Sequence, residues 1–382
     1  MLAAVTPAPG AVALRIADSL VRAAPAHGPS AAVVGVWDAE SDEPVTVARG
    51  HARTLDERGR PMPPVPLAEE PVFDVGSVTK VAVTTTLCMC LVEDDRLGLD
   101  SPVSRWLPGF TGEHKDTVTV RDLLEHQAGL WEWWPTYLDG AGTTREAVDV
   151  AQELPLRHRP RTGRHYSDLG FMLLGEVVAR AYDEPLDTVA RQRVFEPLGM
   201  HETGYRARDG APASERVVAT SVGDWYERRM VETGSPYPVP RRAGSYGGWR
   251  THTLVGEVND GNCWHAFGGV AGHAGLFTTV TDLMRLGRAL LAALEGNGPW
   301  SPDVVHEFLR PGRDPGQALG FRVRGGAGGP VVQHPGFPGA RFAVLPERRR
   351  VAVLLTNRLH TTGEPVGIDT EWDELVEAVE AA

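Results

Sequence analysis

The chain has 382 residues and a formal net charge of −12, with 42% hydrophobic and 23% charged residues. These values are typical of a soluble globular protein that is long enough for two domains. The acidic balance argues against a nucleic-acid partner, because no basic cluster is longer than residues 348–350. Three cysteines, Cys88, Cys90 and Cys263, give no disulfide framework.

The N-terminal region predicts an amphipathic helix over residues 12–23. Its apolar side would carry Leu14, Ile16, Leu20 and Val21. No basic segment is followed by an apolar core here, as a secretion signal would require, and the chain shows no apolar run of membrane-spanning length. We therefore expect a cytoplasmic protein without a membrane partner.

The next elements predict a strand pair followed by a strand–turn–helix unit. Residues 31–37 and 44–48 predict two strands around a polar turn, and the proline-rich residues 60–66 predict a loop. Residues 72–75 predict a short strand. Residues 78–92 are mostly apolar and contain no glycine or proline, which is typical of a buried helix.

A serine and a lysine lie three residues apart where this helix would begin. Lys80 is one of only two lysines among 38 basic residues. Because residues i and i+3 share one face of a helix, the amine of Lys80 can reach the hydroxyl of Ser77. A lysine can lose its proton in a protein, whereas an arginine cannot. The short pattern also occurs by chance, but its setting at a helix N-terminus favours Ser77 as an activated nucleophile.

The middle of the chain predicts helices and then a long irregular segment. Residues 118–124 predict a helix that is entered through Thr119, and residues 147–153 and 169–181 predict two more. Residues 204–262 are poorly periodic and rich in arginine, glycine and proline. They predict a long loop region over one face, in the manner of a lid.

The last third predicts one helix, then strands, then a final helix. The helix over residues 281–294 would be capped by Thr281 or Asp282. The later elements are predicted at residues 331–334, 341–345, 351–355 and 369–382. Strands at both ends of the chain predict an α+β fold with a sheet built from both termini and a mainly helical domain inserted between them. The sheet domain would comprise residues 1–85 and 275–382, and the helical domain residues 86–274.

Three short motifs follow one another along the chain: Ser77-Val78-Thr79-Lys80, Tyr166-Ser167-Asp168 and His334-Pro335-Gly336. In this order and spacing they resemble the serine β-lactamase and penicillin-binding-protein superfamily. The resemblance is strongest to its branch of class C β-lactamases, DD-peptidases and family VIII carboxylesterases. It covers roughly residues 30–360, and it implies a β-lactamase/DD-peptidase-like fold whose antiparallel sheet is flanked by helices.

The resemblance also implies roles for particular residues. Ser77 would be the acylated nucleophile, and Lys80 and Tyr166 would share the proton transfers, with the resting proton distribution between them left open. The oxyanion hole would use the backbone N–H groups of Ser77 and of Phe337, which follows Gly336.

Two residues depart from the usual pattern of that superfamily. Asp168 stands where an asparagine is usual, so a carboxylate acceptor replaces an amide donor, or else holds Lys80 by its charge. His334 stands where many lactamases have a lysine. An unperturbed histidine is mostly neutral near pH 7, so the permanent positive charge is lost there.

We therefore expect a serine hydrolase that acts by acyl transfer on a small ester or amide, with carboxylesterase as the first choice. D-alanyl-D-alanine carboxypeptidase and β-lactamase are the alternatives, followed by an acyltransferase or a catalytically silent binding module. Trp131, Trp133 and Trp134 form either a wall of the acyl pocket or part of the core. We expect no cofactor and no metal site, because no ligand spacing accompanies the motifs. The oligomeric state stays open.

Overall fold

The computed structural model describes residues 9–22, 28–210 and 213–382. The strands, β1 to β12 in chain order, are Ala31–Asp38, Val45–Leu55, Pro61–Pro66, Phe73–Asp74, Gly204–Tyr205, Ala219–Val222, Thr253–Val255, Leu276–Thr278, Arg322–Gly326, Gly329–Gly336, Ala340–Leu345 and Arg350–Thr356. The helices, α1 to α10, are Pro9–Arg22, Thr86–Glu93, Val120–Leu124, Thr144–Glu153, Asp168–Tyr182, Leu186–Ala190, Trp225–Thr233, Val280–Leu294, Pro302–Leu309 and Asp369–Ala381.

A seven-stranded antiparallel sheet joins the two ends of the chain. Its strand order is β3-β2-β1-β12-β11-β10-β9. The central pair is β1 with β12, in which Ala32 lies opposite Thr356 and Val36 lies opposite Ala352. The predicted α+β fold, with a sheet built from both termini, is confirmed.

Helices cover both faces of this sheet, which explains why its two central strands are apolar except at their ends. Strand β12 is buried at every position. On one face, α8 lies so close to β1 that a Cβ on Gly35 would come within 2.2 Å of Val280 Cγ1. On the other face, α1 and α10 pack around a second apolar cluster that includes Ile16, Leu354 and Trp372.

The N-terminal helix is rotated relative to the prediction. Leu14 is 38% exposed, so its predicted place on the apolar side is wrong, whereas Ile16 and Leu20 are buried as predicted. The buried side also includes Val12 and Ala13. These residues pack against the sheet, and the sequence alone does not show which side of the helix would face it. Ala23, the predicted last residue, lies outside the described residues.

The predicted loop at residues 60–66 is instead the edge strand β3, so that prediction is wrong. Proline lacks the N–H that a central strand needs, but an edge strand can face solvent with that side. The pairing of β3 with β2 is correspondingly irregular, with register shifts between the pairs at His51, Arg53 and Leu55.

Threonines cap two helices through their side chains. Thr119 accepts a hydrogen bond from Asp122 N–H and takes part in a capping box at the start of α3, as predicted. At α8 the cap is Thr279, whose hydroxyl accepts from Asp282 N–H at 3.2 Å. The predicted caps Thr281 and Asp282 are therefore wrong by a few residues.

The helical segment Gly76–Glu93 runs through the interior of the fold. By length and composition it is apolar enough to cross a membrane, so the expectation that no such run exists is wrong. However, 78% of it is buried inside the protein, as in the core helix of a globular domain. This burial fixes the position of the residues at its first turn.

The segment predicted as a lid contains regular structure. Helix α7 and the small sheet formed by β6 and β7 lie within it, so the prediction of a purely irregular loop is wrong. Its first strand, β5, pairs with β8, which in turn pairs with β4 just before Ser77. These pairings place the segment beside the serine. The division of the chain at residues 85 and 275 stays a prediction.

Candidate active site

A cavity of about 340 Å³ opens above the first turn of the Gly76–Glu93 segment. It brings together residues of all three predicted motifs, because Ser77, Tyr166, Asp168, Gly336 and Phe337 all line it. The sequence separations of these residues are large, so the sheet and the buried helix create the site jointly.

Lys80 lies beneath this cavity and directly under the serine. Its side chain is 0% exposed, and its Nζ lies 2.9 Å from Ser77 Oγ. The ammonium also donates to the backbone carbonyl of His273 at 3.1 Å. The predicted contact between amine and hydroxyl is present, and the second bond fixes the amine in place.

Asp168 supplies the countercharge of Lys80. The distance between Lys80 Nζ and Asp168 Oδ1 is 2.7 Å, so the carboxylate holds the lysine by charge. Burial acts to lower the pKa of Lys80, but the carboxylate of Asp168 and the hydroxyl of Tyr166 outweigh it and raise that pKa above its usual value. Lys80 is therefore a cation at rest.

Tyr166 is placed at the active centre by the cap of helix α5. Ser167 Oγ donates to Trp131 O at 2.6 Å and accepts from Gly170 N–H at 3.1 Å, which fixes the turn before the helix. The hydroxyl of Tyr166 is within hydrogen-bonding reach of Ser77 and Lys80. Burial raises the pKa of Tyr166 although Lys80 opposes this effect, so the phenol is protonated at rest.

His334 is buried and uncharged. Its Nδ1–H donates to Pro335 O at 2.8 Å, which leaves Nε2 as a bare acceptor without a hydrogen-bond partner among the described residues. Burial lowers the pKa of His334 well below its usual value, and the charges of Lys80 and Arg322 act in the same direction. The third motif thus carries no positive charge at this position, as the sequence predicted.

Gly76 and Gly336 allow the end of strand β10 to approach Ser77. A Cβ on Gly336 would lie 2.1 Å from Val75 O, and a Cβ on Gly76 would lie 2.5 Å from Pro338 Cδ. Gly76 also has a φ of +49°, which glycine tolerates best. The backbones before Ser77 and around Phe337 are therefore in contact, as the predicted oxyanion hole requires. The role of their N–H groups stays a prediction.

A group of acidic residues on the opposite wall has no signal in the sequence. Asp224, Glu227 and Asp260 line the cavity from the predicted lid segment, which has no motif or periodicity to mark them. Glu227 accepts from Tyr137 Oη at 2.5 Å and from Gly261 N–H at 2.8 Å. Burial, together with the negative charge of Asp260, raises the pKa of Glu227 to about 8.

Arg322 is a further cavity residue without a sequence motif to mark it. It begins strand β9, which was not predicted, and its guanidinium lies over the ring of Tyr166, 5.4 Å from the centroid. No carboxylate within residues 9–22, 28–210 or 213–382 forms an ion pair with it. Arg341, by contrast, is 2.6 Å from Asp369, so its charge is already balanced.

The three tryptophans have different positions. Trp133 lines the cavity and so forms part of its wall. Trp134 is buried, and its Nε1–H donates to Asp139 at 2.7 Å. Trp131 is half-buried and donates to Pro155 O at 3.0 Å. The wall interpretation therefore holds for one residue of the three.

Comparison with known sequences places the chain in a family. A sequence model of the family described as Beta-lactamase matches residues 17–376. An N-acetylmuramyl-L-alanine amidase of Bacillus subtilis (strain 168) is 28% identical over 376 residues, which cover 91% of this chain and 81% of that protein. A putative D-alanyl-D-alanine carboxypeptidase of Salmonella gallinarum is 26% identical over 344 residues, which cover 82% and 76% of the two chains.

Solved structures share the fold. A penicillin-binding protein homologue from Caulobacter crescentus superposes with a TM-score of 0.69 at 23% identity and covers 99% of both chains. EstCE1, a hydrolase with promiscuous acyltransferase activity, has a TM-score of 0.67 at 23% identity and covers 97% of both chains. At these identities the likeness shows the fold alone.

Proposed function

The chain belongs to the β-lactamase family and is a serine hydrolase, and on that premise we propose that it works through an acyl-enzyme on Ser77. Small carboxylic esters are its preferred substrates in this proposal. The main support for this proposal is the 2.9 Å contact between Lys80 Nζ and Ser77 Oγ. Lys80 also forms a buried ion pair with Asp168 at the floor of the cavity. A serine activated by a fixed neighbour is the arrangement that nucleophilic catalysis requires.

The proposed reaction has two steps. Ser77 Oγ attacks the carbonyl carbon, and the new oxyanion accepts hydrogen bonds from the N–H groups of Ser77 and Phe337. The C–O bond to the leaving alcohol then breaks, and the alcohol takes up the proton that Ser77 released. Water attacks the acyl-enzyme by the same route, which frees the carboxylic acid and restores the proton on Ser77.

The proton of Ser77 needs an acceptor, because Lys80 is already a cation at rest. The 2.7 Å ion pair provides one: Lys80 can pass a proton to Asp168 and then accept the proton of Ser77. Tyr166, within reach of both Ser77 and Lys80, would shuttle the proton to the leaving group. In this proposal Asp168 takes part in the proton transfer, which an asparagine at the same position could not do.

Two features support esters over β-lactams. The neutral His334 provides no fixed charge for the carboxylate that a β-lactam carries. The carboxylates of Asp224 and Asp260 line the same cavity and disfavour a further anion, whereas Glu227, whose pKa is raised to about 8, is mostly neutral near pH 7. A neutral acyl ester meets neither difficulty.

A peptidase acting on a D-alanyl-D-alanine terminus is the second candidate, and Arg322 favours it. Its guanidinium stands at the cavity beside Tyr166 without a carboxylate partner in the described part of the chain, so it could bind the terminal carboxylate of a peptide. The similarity to an amidase and to a putative carboxypeptidase points the same way. An acyltransferase, a silent binding module and the cytoplasmic location stay predictions.

Labelling with a fluorophosphonate tests the nucleophile. Intact mass should show one adduct, and peptide mapping should place it on Ser77. The Ser77→Ala variant should not react, whereas Ser221→Ala, which alters another serine that lines the cavity, should react normally. A label on a different serine would refute the proposed mechanism, as would hydrolysis by Ser77→Ala at the rate of the unaltered protein.

The substrate is tested by comparing kcat/KM for a nitrophenyl acyl ester, nitrocefin and a D-Ala-D-Ala peptide. The ester should give the highest value. A higher value for the peptide, with selective loss of peptide cleavage in Arg322→Ala, would establish the second candidate instead. Either result leaves the assignment of Ser77 intact, because the labelling experiment decides that question separately.

A further inference from the structure

Three side chains that commonly bind metals meet beside the active site. They are Glu132, His158 and His165, and their ligand atoms all lie within 4.8 Å of one another. Glu132 comes from one loop and the two histidines from another, so the spacing patterns used to predict metal sites do not reveal them. The sequence-based expectation of no metal site rested on such patterns.

One nitrogen in this cluster lacks a partner. The Nε2 atom of His158 is shielded from solvent and forms no hydrogen bond within the described residues. Its nearest carboxylate oxygen, Glu132 Oε1, lies 3.5 Å away, which is too long for a good hydrogen bond. The rings of His158 and His165 stack with centroids 3.5 Å apart and an interplanar angle of 4°. Two imidazoles and a carboxylate are thus adjacent, and the Nε2 atom of His158 has no hydrogen-bond partner within the described residues.

We propose that Glu132, His158 and His165 bind a divalent transition-metal ion, with Zn²⁺ as the ion that fits the ligand set best. Two imidazole nitrogens and one carboxylate oxygen are ligands that zinc accepts, with water in the remaining position. Bonds of about 2.0–2.1 Å place the ligand atoms of a tetrahedral site about 3.3 Å apart. Because an imidazole binds a metal in the plane of its ring, one of the two stacked histidines must turn out of the stack before both nitrogens can reach the same ion.

The surroundings orient the carboxylate for this purpose. Arg157 Nη1 donates to Glu132 Oε2 at 2.6 Å, so Oε1 is left for the ion. A hydrogen bond to the second oxygen of a ligating carboxylate is the usual arrangement around protein-bound metals. The backbone N–H groups of Arg157 and His158 both donate to Gly129 O, which fixes the loop that carries the first histidine.

The position of the cluster indicates a structural role. Glu132 O accepts from Asp168 N–H at 2.8 Å, and the next residue along the chain is the wall residue Trp133. A bound ion would therefore tie the loop over residues 157–165 to the wall of the cavity and to the start of α5. The ion lies outside the proton path, so its loss should loosen the cavity and raise KM more than it lowers kcat.

Calorimetric titration of the EDTA-treated protein with Zn²⁺ tests this site. We expect one ion per chain, a rise in Tm on binding, and at least a tenfold loss of affinity in both His165→Asn and Glu132→Gln. The control is His201→Asn, which alters an exposed histidine and should bind zinc normally. Co²⁺ in place of Zn²⁺ should give visible absorption bands in the unaltered protein and in the control, and weak bands in His165→Asn.

The proposal is overturned by the absence of stoichiometric zinc binding, or by equal affinity in all four proteins. If the two site variants fold poorly, anomalous diffraction at the zinc edge decides the matter with the unaltered chain alone. A peak between Glu132 and the two histidines supports the site, and zinc found only elsewhere refutes it.

Discussion

Lys80 is the residue on which the proposed chemistry depends, because it contacts the serine, the carboxylate of Asp168 and a backbone carbonyl at once. Two roles are compatible with these contacts. The lysine carries a proton during the reaction, or it serves only as a fixed positive charge that stabilises the site. Arginine keeps the charge but cannot release a proton, so substitution separates the two roles.

We predict that Lys80→Arg lowers kcat/KM about as severely as Lys80→Ala. General acid–base groups typically contribute about 10² to 10⁴ in rate, and we expect a loss at least in that range. The control is Lys115→Arg, which alters the other buried lysine, whose Nζ donates to Gln152 O. Retention of most of the activity by Lys80→Arg would mean that Lys80 is only a fixed charge.

Asp168 should govern the pH dependence of the reaction. Its charge raises the pKa of Lys80, so Asp168→Asn should lower that pKa. In the unaltered chain Lys80 can pass its proton to Asp168 before it accepts the proton of Ser77, but an asparagine cannot take that proton. We therefore expect kcat/KM of Asp168→Asn to fall about 10²-fold or more near neutral pH and to rise with pH as the amine loses its proton to solvent.

The control for this prediction is Asp369→Asn. It removes a carboxylate that also lines the cavity but pairs with Arg341 instead of Lys80. The pH profile of this variant should match that of the unaltered chain. Unchanged kcat/KM near neutral pH in Asp168→Asn would show that Asp168 does not accept the proton of Lys80.

At the scale of single residues, the sequence predicts the nucleophile and its neighbour better than it predicts the charges around them. Ser77 and Lys80 could be found because helix geometry links residues three apart. Glu227 and Arg322 could not be found, because only the tertiary fold brings them to the cavity. The protonation state of Lys80 was left open for a related reason, since it depends on which group lies 2.7 Å away.

At the scale of elements, a substitution can test the close contact between the turn before Ser77 and the end of β10. Gly336 leaves no room for a side chain, because its Cβ would lie 2.1 Å from Val75 O. We predict that Gly336→Ala separates the two segments and lowers kcat/KM by about 10²-fold or more, the typical effect of losing an oxyanion donor.

The matched control is Gly325→Ala on the neighbouring strand β9, where an added Cβ would have no atom of the described residues within 4 Å. This variant should keep its activity. Thermal unfolding of both proteins shows whether the folded state persists. Full activity in a folded Gly336→Ala variant would rule out the predicted role of Phe337 N–H.

The elements predicted correctly are those with strong local signals. Thr119 begins a helix because its hydroxyl caps the first turn. Residues 351–355 form a strand because all five are apolar and the valines among them are β-branched. Strand β3 was missed because proline normally excludes a strand, and its edge position depends on the neighbouring strand. Helix α7 was missed because weak periodicity hides a helix that forms one wall of the cavity.

At the scale of the whole molecule, both ends of the chain are needed to complete the sheet that supports the site. Strand β1 pairs with β12, and α1 contacts α10 across the outer face. The active-site residues lie on the other side of this sheet. The outer face therefore contributes to stability without contacting substrate, and changes there should affect folding but not catalysis.

We predict that Ile16→Ala on α1 destabilises the protein while leaving the reaction intact. Ile16 is 1% exposed in the outer cluster, and removal of a buried isoleucine side chain typically costs about 2–5 kcal/mol. Leu14→Ala alters the same helix at a position that is 38% exposed, so its effect should stay within about 0.5 kcal/mol. Urea unfolding measures both variants, and kcat/KM well below the transition should match that of the unaltered chain. Ile16 faces the sheet and Leu14 faces solvent only in the observed rotation of α1. Equal stability of the two variants would therefore mean that α1 does not pack as described.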